Sequence, residues 1–451
     1  MRTARSGLWA LGSGLWAPTA GLAALLVGAV ALPARGQTPV GDTLRLPALQ
    51  SVAVARDPRA RELSLLAAQS RLRLQSLAAE RLPALNISGL GQYQSDVTRI
   101  PFQLPGGRQP IAPPHDTYDA RLEAQQRLYD PTLGPRRAVE QAQLAESQAR
   151  VRTSLYALRQ SVNDAFFTAA RLQAQRGDVE TSITDLEAQL VVAARRVRLG
   201  AALPSDTGSL RAELLRRQQA LAEIDANRRA ALEVLAELTG TSIASNAVLA
   251  LPDLTAEAAR ATEGLDGLRA RPEYEQFARS REVIARQERA ASAQDKPRLS
   301  AFGRAGYGRP GLNPLNTQFD SYWLAGVQAH WTPWTWGTAR REREVLAVQR
   351  QIVSAEEAAF AEGLRRAVAQ DVETIRRLEA ALATDEQIIE LRERIVRETR
   401  LRFQEGVVTS AEYVDRQTDA LDARLVRAAH RVELAQARAH FLTTLGVEVG
   451  Q

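Results

Sequence analysis

Two long stretches without an internal proline constrain the fold of this 451-residue chain more than any other feature. They run from Gly134 to Gly200 and from Gly337 to Gly406. Their one proline, Pro135, stands at the start of the first stretch, where a helix tolerates it. Apolar residues recur every seven positions in both, a spacing typical of coiled coils. At 1.5 Å per residue, each stretch predicts a helix of roughly 100 Å that needs a packing partner along its length.

The two stretches belong to an internal duplication. A Pro-x-Leu-x-x-x-Gly motif that begins at Pro83 recurs at Pro297, and the spacing of two later glycines recurs as well. Glycine commonly ends helices, because it accepts the left-handed backbone conformation. Each half therefore predicts a helix, two short strands, a very long helix, a tight turn and an antiparallel return helix. The glycine pairs are Gly200 with Gly240 and Gly406 with Gly446.

Short alternating segments precede each long stretch. Residues 85–94, 118–128, 298–307 and 322–331 alternate apolar and polar side chains over about ten residues, the length that a tilted strand needs to cross a bilayer. A half-buried strand of a soluble sheet alternates in the same way, so both interpretations stay open. The polar positions expected to line a barrel lumen, or an ordinary solvated face, are Asp119, Arg121, Glu123, Arg127, Arg304 and Gln328.

The tryptophans favour the membrane interpretation. Apart from Trp9 and Trp16, all of them lie between Trp323 and Trp336, as in an interfacial aromatic belt; a cluster that packs a sheet onto a helix is the alternative. Four strands cannot close a barrel, and open strand edges are not tolerated in lipid, so several copies must contribute to one barrel. The expected belt residues are Tyr93, Tyr307, Trp323, Trp331, Trp334 and Trp336.

Composition excludes several classes of function. The chain has no cysteine, which removes disulfides, thiolate chemistry and iron–sulfur clusters, and its four histidines are too far apart to predict a metal site. We expect no cofactor, and no nucleophile–base set or phosphate loop suggests an enzyme. The net charge of +6 falls to +3 without residues 1–36, which contain three arginines and no acid. Nucleic-acid binding is therefore not expected.

The first 36 residues have the features of an export signal. Arg2 and Arg5 precede an uncharged, largely apolar stretch that ends near Ala34-Arg35-Gly36, where small residues suit the cleavage enzyme. An uncleaved membrane anchor is the alternative reading of this stretch. Either way, the rest of the chain is expected to be exported.

Taken together, these motifs resemble those of the TolC-like family of outer-membrane efflux and secretion channels. The resemblance runs from about Leu46 to Gly446 and depends on the order and spacing of individually loose motifs. The first of these motifs is Pro-x-Leu-x-x-x-Gly, which stands twice at the start of a predicted strand. The second is a glycine turn followed by acidic residues, which also occurs twice, as Gly200 with Asp206 and as Gly406 with Glu412 and Asp415.

This resemblance implies a mainly α fold with a transmembrane β-barrel part. Three copies would form a twelve-stranded barrel in the outer membrane above a periplasmic tunnel of coiled-coil hairpins. A periplasmic adaptor would connect it to an inner-membrane transporter of the RND, ABC or MFS type. The implied segments are a signal peptide (1–36), an equatorial segment with the first tunnel helix (37–82), a strand pair (83–130), a helical hairpin (131–240), a second equatorial segment and helix (241–296), a second strand pair (297–334), a second hairpin (335–446) and a tail (447–451).

The resemblance also implies a gate at the periplasmic end of the tunnel. Glu412 and Asp415 match acidic positions that ring the constricted tip, although two exposed acids stabilised by a helix dipole would look the same. Asp206 matches an acid that helps to latch the tip. The matching arginine and tyrosine positions hold Val408 and Phe403, whose side chains cannot donate the needed hydrogen bonds, so the latch must differ. The turn residues expected to contact the adaptor are Gly200, Leu203, Ser205, Gly406, Val408 and Ser410.

Two other classes of protein remain as alternatives. A periplasmic adaptor, or membrane fusion protein, is also exported and also contains a coiled-coil hairpin, but it has one hairpin flanked by soluble β-domains. A coiled-coil scaffold without a pore is the other. Drug efflux, metal efflux and protein secretion are all compatible with a channel of this type.

Overall fold

The computed structural model describes residues 43–98, 112–263, 270–314 and 316–447. The predicted signal peptide, residues 1–36, and most of the predicted tail, 447–451, lie outside the described residues. No described helix is both long enough and apolar enough to cross a membrane.

The two halves of the chain contain the same elements in the same order. The first half comprises β1 (Thr43–Arg45), α1 (Leu46–Arg56), α2 (Pro58–Ala79), β2 (Ala84–Tyr93), β3 (Asp116–Tyr129), α3 (Leu133–Arg198) and α4 (Pro204–Thr239). The second comprises β4 (Val248–Ala250), α5 (Thr255–Glu263), α6 (Pro272–Gln294), β5 (Arg298–Arg309), β6 (Asp320–His330), α7 (Thr338–Glu405) and α8 (Ser410–Leu445). The two long stretches are thus helices of 66 and 68 residues, each followed by a helix of 36 residues.

Four glycines in the left-handed conformation end the long and the return helices. Their φ angles are +67° at Gly200, +60° at Gly240, +80° at Gly406 and +87° at Gly446. At each end, the N–H after the glycine bonds back to the last turn, as from Ala201 to the Arg196 carbonyl at 2.9 Å. A side chain at these positions would be strained, because other residues rarely adopt a positive φ. The glycine spacing in the sequence therefore fixes where both hairpins turn.

Strands β2, β3, β5 and β6 form one antiparallel sheet in that spatial order. Its register places Ile87, Leu122, Ala305 and Trp323 in one row across all four strands. The adjacent row contains Ser88, Arg121, Gly306 and Tyr322. Because successive residues of a strand point to opposite faces, one face of the sheet is apolar and the other is largely polar. Within the described residues, β2 and β6 each pair on one side only, so both edges of the sheet are open.

The helices next to the sheet form one layer. Helix α2 packs on α3, α3 on α6, and α6 on α7, whereas beyond this layer α3 pairs with α4 and α7 pairs with α8.

The main hydrophobic core lies in the middle of the molecule, where α1 and the parallel β1–β4 pair meet the central part of α3 and the end of α8. A buried chain of hydrogen bonds crosses this core, from Gln50 to Asn163 at 2.6 Å and from Asn163 to Thr443 at 3.1 Å. The side chains of Gln50, Asn163 and Thr443 thus provide hydrogen-bond partners for one another inside the core, and they hold α1 against the long helix α3 and the return helix α8.

Candidate functional site

The polar face of the sheet carries a network of charged side chains. Asp119, Arg121 and Glu123 share this face on β3, and Glu123 lies opposite Arg304 of β5, which donates to it at 3.2 Å. Arg121 lies 3.3 Å from Asp119 and also donates to Ser88 at 3.0 Å. Arg127 and Gln328 lie on the same face, nearer the helices, both opposite Ser300. The register therefore brings all six predicted polar positions onto one surface.

Tyr322 belongs to this network and was not expected from the sequence. Its hydroxyl donates to Asp119 at 2.5 Å. Its ring covers Gly306 so closely that a Cβ added to this glycine would lie 2.6 Å from the ring. Phe302 covers Gly326 in the same way, at 2.9 Å. Tyr322 occupies a polar-face position of the alternating pattern, which is the signal that could have identified it.

The apolar face of the sheet is exposed in the protomer. Ile87 is 88 % exposed and Trp323 is 77 % exposed. A continuous apolar surface of this kind is unusual for a soluble monomer and marks an interaction surface.

The six predicted belt aromatics are all exposed and form two groups at opposite ends of the sheet. Trp331 is eight positions after Trp323, or roughly 27 Å along the strand direction. When the strand is tilted as usual, the distance between these tryptophans along the membrane normal is close to the height of a lipid-facing apolar band, about 25 Å. Phe319, not identified from the sequence, stacks on Tyr307 at 5.6 Å. The loop-end group is Tyr93, Tyr307 and Trp323; the helix-end group is Trp331, Trp334 and Trp336.

The two helical hairpins meet at their turns, and Arg196 connects them. Its Nη1 donates to the Phe403 carbonyl at 2.5 Å, and its Nη2 donates to the Ala201 carbonyl at 3.2 Å. Sequence reasoning missed this role, because Arg196 is one of three arginines in the last turn of α3, where basic residues commonly stabilise a helix end. The Phe403 ring stacks on Tyr413 at 5.5 Å and is almost fully buried.

Asp206 makes a second connection between the hairpins. One carboxylate oxygen accepts from the Leu203 backbone N–H at 3.1 Å, and the other accepts from the Ser410 backbone N–H at 3.2 Å. Partial burial raises the pKa of Asp206, but the hydrogen bonds from Ser410 and Leu203 outweigh this effect and hold the pKa below its usual value. The carboxylate is therefore charged at neutral pH, and its contact with Ser410 is lost only in acid.

Glu412 and Asp415 lie on the exposed side of the first turns of α8. They are three residues apart and share a face of the helix. Among the described residues, neither carboxylate has a cation within ion-pair distance. The structure thus separates the three predicted gate acids into one that is bound within the protomer, Asp206, and two that are free to face outward.

The turn residues differ in accessibility. Leu203 is 67 % exposed, and Gly200, Ser205 and Gly406 are exposed as well, with Val408 half-buried. Ser410 is buried and belongs to the contact between the hairpins rather than to the outer surface. A cavity of about 370 Å³ lies between the two turns, next to Arg196 and Asp206.

No family model matches the sequence, and no curated protein matches it significantly. Solved structures do match. The open state of the MtrE outer membrane channel of Neisseria gonorrhoeae is 18 % identical, with 90 % of this chain and 89 % of that chain covered and a TM-score of 0.64. The outer membrane protein VceC of Vibrio cholerae is 16 % identical, with 89 % and 96 % covered and a TM-score of 0.63. The CmeC outer membrane channel of Campylobacter jejuni is 12 % identical, with 90 % and 87 % covered and a TM-score of 0.62.

The chain has the fold of TolC-like outer-membrane channels. The resemblance inferred from the sequence is therefore confirmed as a likeness of fold, which extends over nearly nine tenths of the chain. Two of the solved proteins that share this fold, MtrE and CmeC, are outer membrane channels.

Proposed function

We propose that the protein is an outer-membrane channel that serves as the exit duct of an efflux or type I secretion system. The two-faced sheet with open edges supports this proposal most strongly. Its apolar face suits lipid and its charged face suits a water-filled lumen, while unpaired edges cannot remain in lipid. The chain performs no chemistry of its own and uses no cofactor.

Three copies would complete the channel. With four strands from each, β6 of one copy would pair with β2 of the next to close a twelve-stranded barrel, with Asp119, Arg121, Glu123, Arg127, Arg304 and Gln328 around its lumen. The long helices would continue as a tunnel through the periplasm, about 100 Å long for helices of 66 and 68 residues.

The free acids of α8 would form the selective entrance. Threefold repetition of Glu412 and Asp415 would place six carboxylates around the narrow end of the tunnel, and a ring of negative charge attracts cations and repels anions. Arg196 and Asp206 would hold the hairpins of each copy together in the closed state.

An adaptor would contact the exposed turns and connect the duct to an inner-membrane transporter of the RND, ABC or MFS type. Leu199, Leu203 and Val407 are 82 %, 67 % and 70 % exposed, although all three are apolar. Exposed apolar side chains at the end of a rod mark a contact surface for another protein.

Planar-bilayer recording of the purified mature protein, with native mass spectrometry of the same sample, tests this function. We expect a mass of three copies and discrete, cation-selective conductance steps. The Val327→Pro variant, prepared in the same way, lacks one backbone N–H donor in β6. We expect it to form few channels, because proline disrupts strand pairing. A soluble monomer without detergent, or a trimer that never conducts, would refute the proposal.

A further inference from the structure

A basic pocket lies where the sheet joins the helices. It has a volume of about 610 Å³ and is formed by the end of α6, the residues just after it, and the first turns of α3 and α7. Three cations line it, Arg289 and Lys296 from the α6 side and Arg343 from α7, and Lys296 is the only lysine of the chain. Pro131 and Pro135, which lack backbone N–H groups, form part of the wall.

The pocket opens on the outer side of the helix layer. A larger cavity of about 720 Å³ is lined by all four helices of the layer, from Leu77 in α2 to Leu346 in α7. This cavity lies on the side of the layer that continues the polar face of the sheet, because its lining residue Glu80 forms ion pairs with Arg136 and with Arg127 of that face. Helix α6 presents Ala290 to that cavity and Ser292 to the basic pocket. Residues two apart on a helix point to nearly opposite sides, so the basic pocket lies on the other side of the layer, which continues the apolar face of the sheet.

The charge of the pocket is not balanced by neighbouring acids. Somewhat more than half of the arginines in the described part of the chain form ion pairs, as Arg340 does with Glu344 at 2.9 Å, whereas Arg289, Lys296 and Arg343 have no carboxylate within ion-pair distance there. The one acid in the lining, Glu288, lies 3.7 Å from Arg350. Arg343 donates its Nε to the Ala339 carbonyl at 3.3 Å, which leaves its terminal nitrogens available.

The pocket lies at the level of the helix-end tryptophans. Trp331 donates its indole N–H to the carbonyl of Asp295 at 3.0 Å, and Asp295 directly precedes Lys296. Trp334 and Trp336 pack edge to face at 5.9 Å, and Trp336 has an unusual positive φ of 52° that starts the turn into α7. Tryptophan is the residue that marks the head-group region of a bilayer. Cations next to it are therefore placed where lipid phosphates would be.

We propose that this pocket binds the phosphate of an anionic phospholipid in the leaflet that faces the helical hairpins. Arginine and lysine both bind phosphate, and cationic pockets next to membrane-spanning segments suit anionic head groups. The proline wall would contact the glycerol and the start of the acyl chains. The same chemistry would accept free phosphate, but the position beside the tryptophans and on the outer surface favours the lipid. This proposal depends on the proposed function in one respect only, which is that the sheet lies in a membrane.

Native mass spectrometry of the detergent-solubilised protein, titrated with phosphatidylglycerol or phosphatidylcholine, tests the site. The pocket variant is Arg289→Ala/Lys296→Ala/Arg343→Ala. The matched control, Arg81→Ala/Arg137→Ala/Arg341→Ala, removes the same charge from exposed arginines without an ion pair in the described residues, near the sheet–helix junction but outside the pocket. We expect phosphatidylglycerol to bind more tightly than phosphatidylcholine, and the pocket variant to lose at least about tenfold in phosphatidylglycerol affinity, while the control keeps the wild-type value.

Three results would overturn the proposal. They are an unchanged affinity in the pocket variant, an equal loss in the control, and equally tight binding of glycerol 3-phosphate in the absence of lipid, which would indicate a site for soluble phosphates. Unchanged elution of both variants in size-exclusion chromatography shows that they fold. Because binding is measured without conductance, a protein that retains lipid but does not conduct would refute the channel and leave this site standing.

Discussion

The guanidinium of Arg196 donates to the main-chain carbonyl of Phe403 at 2.5 Å and thereby joins the end of α3 to the end of α7. The acceptor is a backbone atom, so the contact does not depend on the side chain at position 403. This explains how the hairpins can be held together although Phe403 and Val408 cannot donate hydrogen bonds through their side chains.

Replacing Arg196 should loosen the proposed closed tip. Arg196→Ala removes a hydrogen bond from a charged donor at a partly exposed position, worth about 1 kcal/mol, which shifts an open–closed equilibrium roughly fivefold. We expect a larger mean conductance in planar bilayers. Arg198→Ala, two residues further on and exposed, is the matched control. Equal conductance of the two variants and the wild type would exclude Arg196 as a latch.

Removing the free acids of α8 should weaken cation selectivity. Glu412→Ala/Asp415→Ala leaves the hairpin contacts of Asp206 in place, so we expect a reversal potential closer to zero in a salt gradient and weaker block by polyvalent cations. The control Asp422→Ala/Glu433→Ala removes two acids further along the same helix. If selectivity and block survived in the first double variant, the entrance would have to be assigned elsewhere.

The contact between α7 and α8 should depend on pH through His440. Its Nδ1 lies 2.9 Å from Asp371, and this hydrogen bond raises the pKa of His440, although burial opposes the shift. Asp164 also raises this pKa, and Arg271 lowers it. Protonated His440 therefore stabilises the folded state. This stabilisation is complete when the pH is below the pKa of histidine in the unfolded chain, about 6.5, and is lost as the pH rises through the higher pKa of His440 in the folded chain.

Thermal unfolding at several pH values measures this effect. The stability advantage of the wild type over His440→Gln should be largest in mild acid and should shrink as the pH is raised above about 6.5. Asp371→Asn should remove the same pH dependence. A constant difference between wild type and His440→Gln across this range would contradict the assignment.

Gly308 should be the strand glycine least tolerant of substitution by alanine. An added Cβ would lie 2.7 Å from the backbone carbonyl oxygen of Tyr118, which cannot move without breaking the β3–β5 pairing. We expect Gly308→Ala to destabilise the sheet by about 1–3 kcal/mol and to lower the yield of heat-resistant oligomer on gels. Gly303→Ala, on the same strand with nothing within 4 Å, should behave as the wild type. Equal yields would show that the sheet adapts.

The sequence predicted the features that arise from periodicity. Heptad spacing and the lack of internal proline indicated the long helices, and glycines such as Gly200 and Gly406 marked their ends because few other residues accept a positive φ. Strict alternation indicated the four strands and which side chains share a face. These signals are local, so they can be read without knowing which elements meet.

The contacts between distant elements could not be predicted in the same way. Arg196 and Phe403 are 207 residues apart, and the acceptor is a carbonyl that every residue has, so no residue type marks it. Asp206 was expected to help latch the tip, but its partner on the other hairpin, the Ser410 backbone N–H, is a group that every residue except proline has. Tyr322 and Asp119 meet only through the pairing of β5 with its two neighbours. Such partners depend on the tertiary arrangement, which propensity and spacing do not specify.

The occurrence of one lysine in the whole chain, at the junction between sheet and helices, has a practical consequence. Apart from the α-amino group, Lys296 carries the only primary amine, and it is exposed. An amine-reactive fluorophore or spin label would therefore attach to one defined position per copy without any engineered cysteine. Its spectrum would report directly on the depth at which this junction sits in a bilayer.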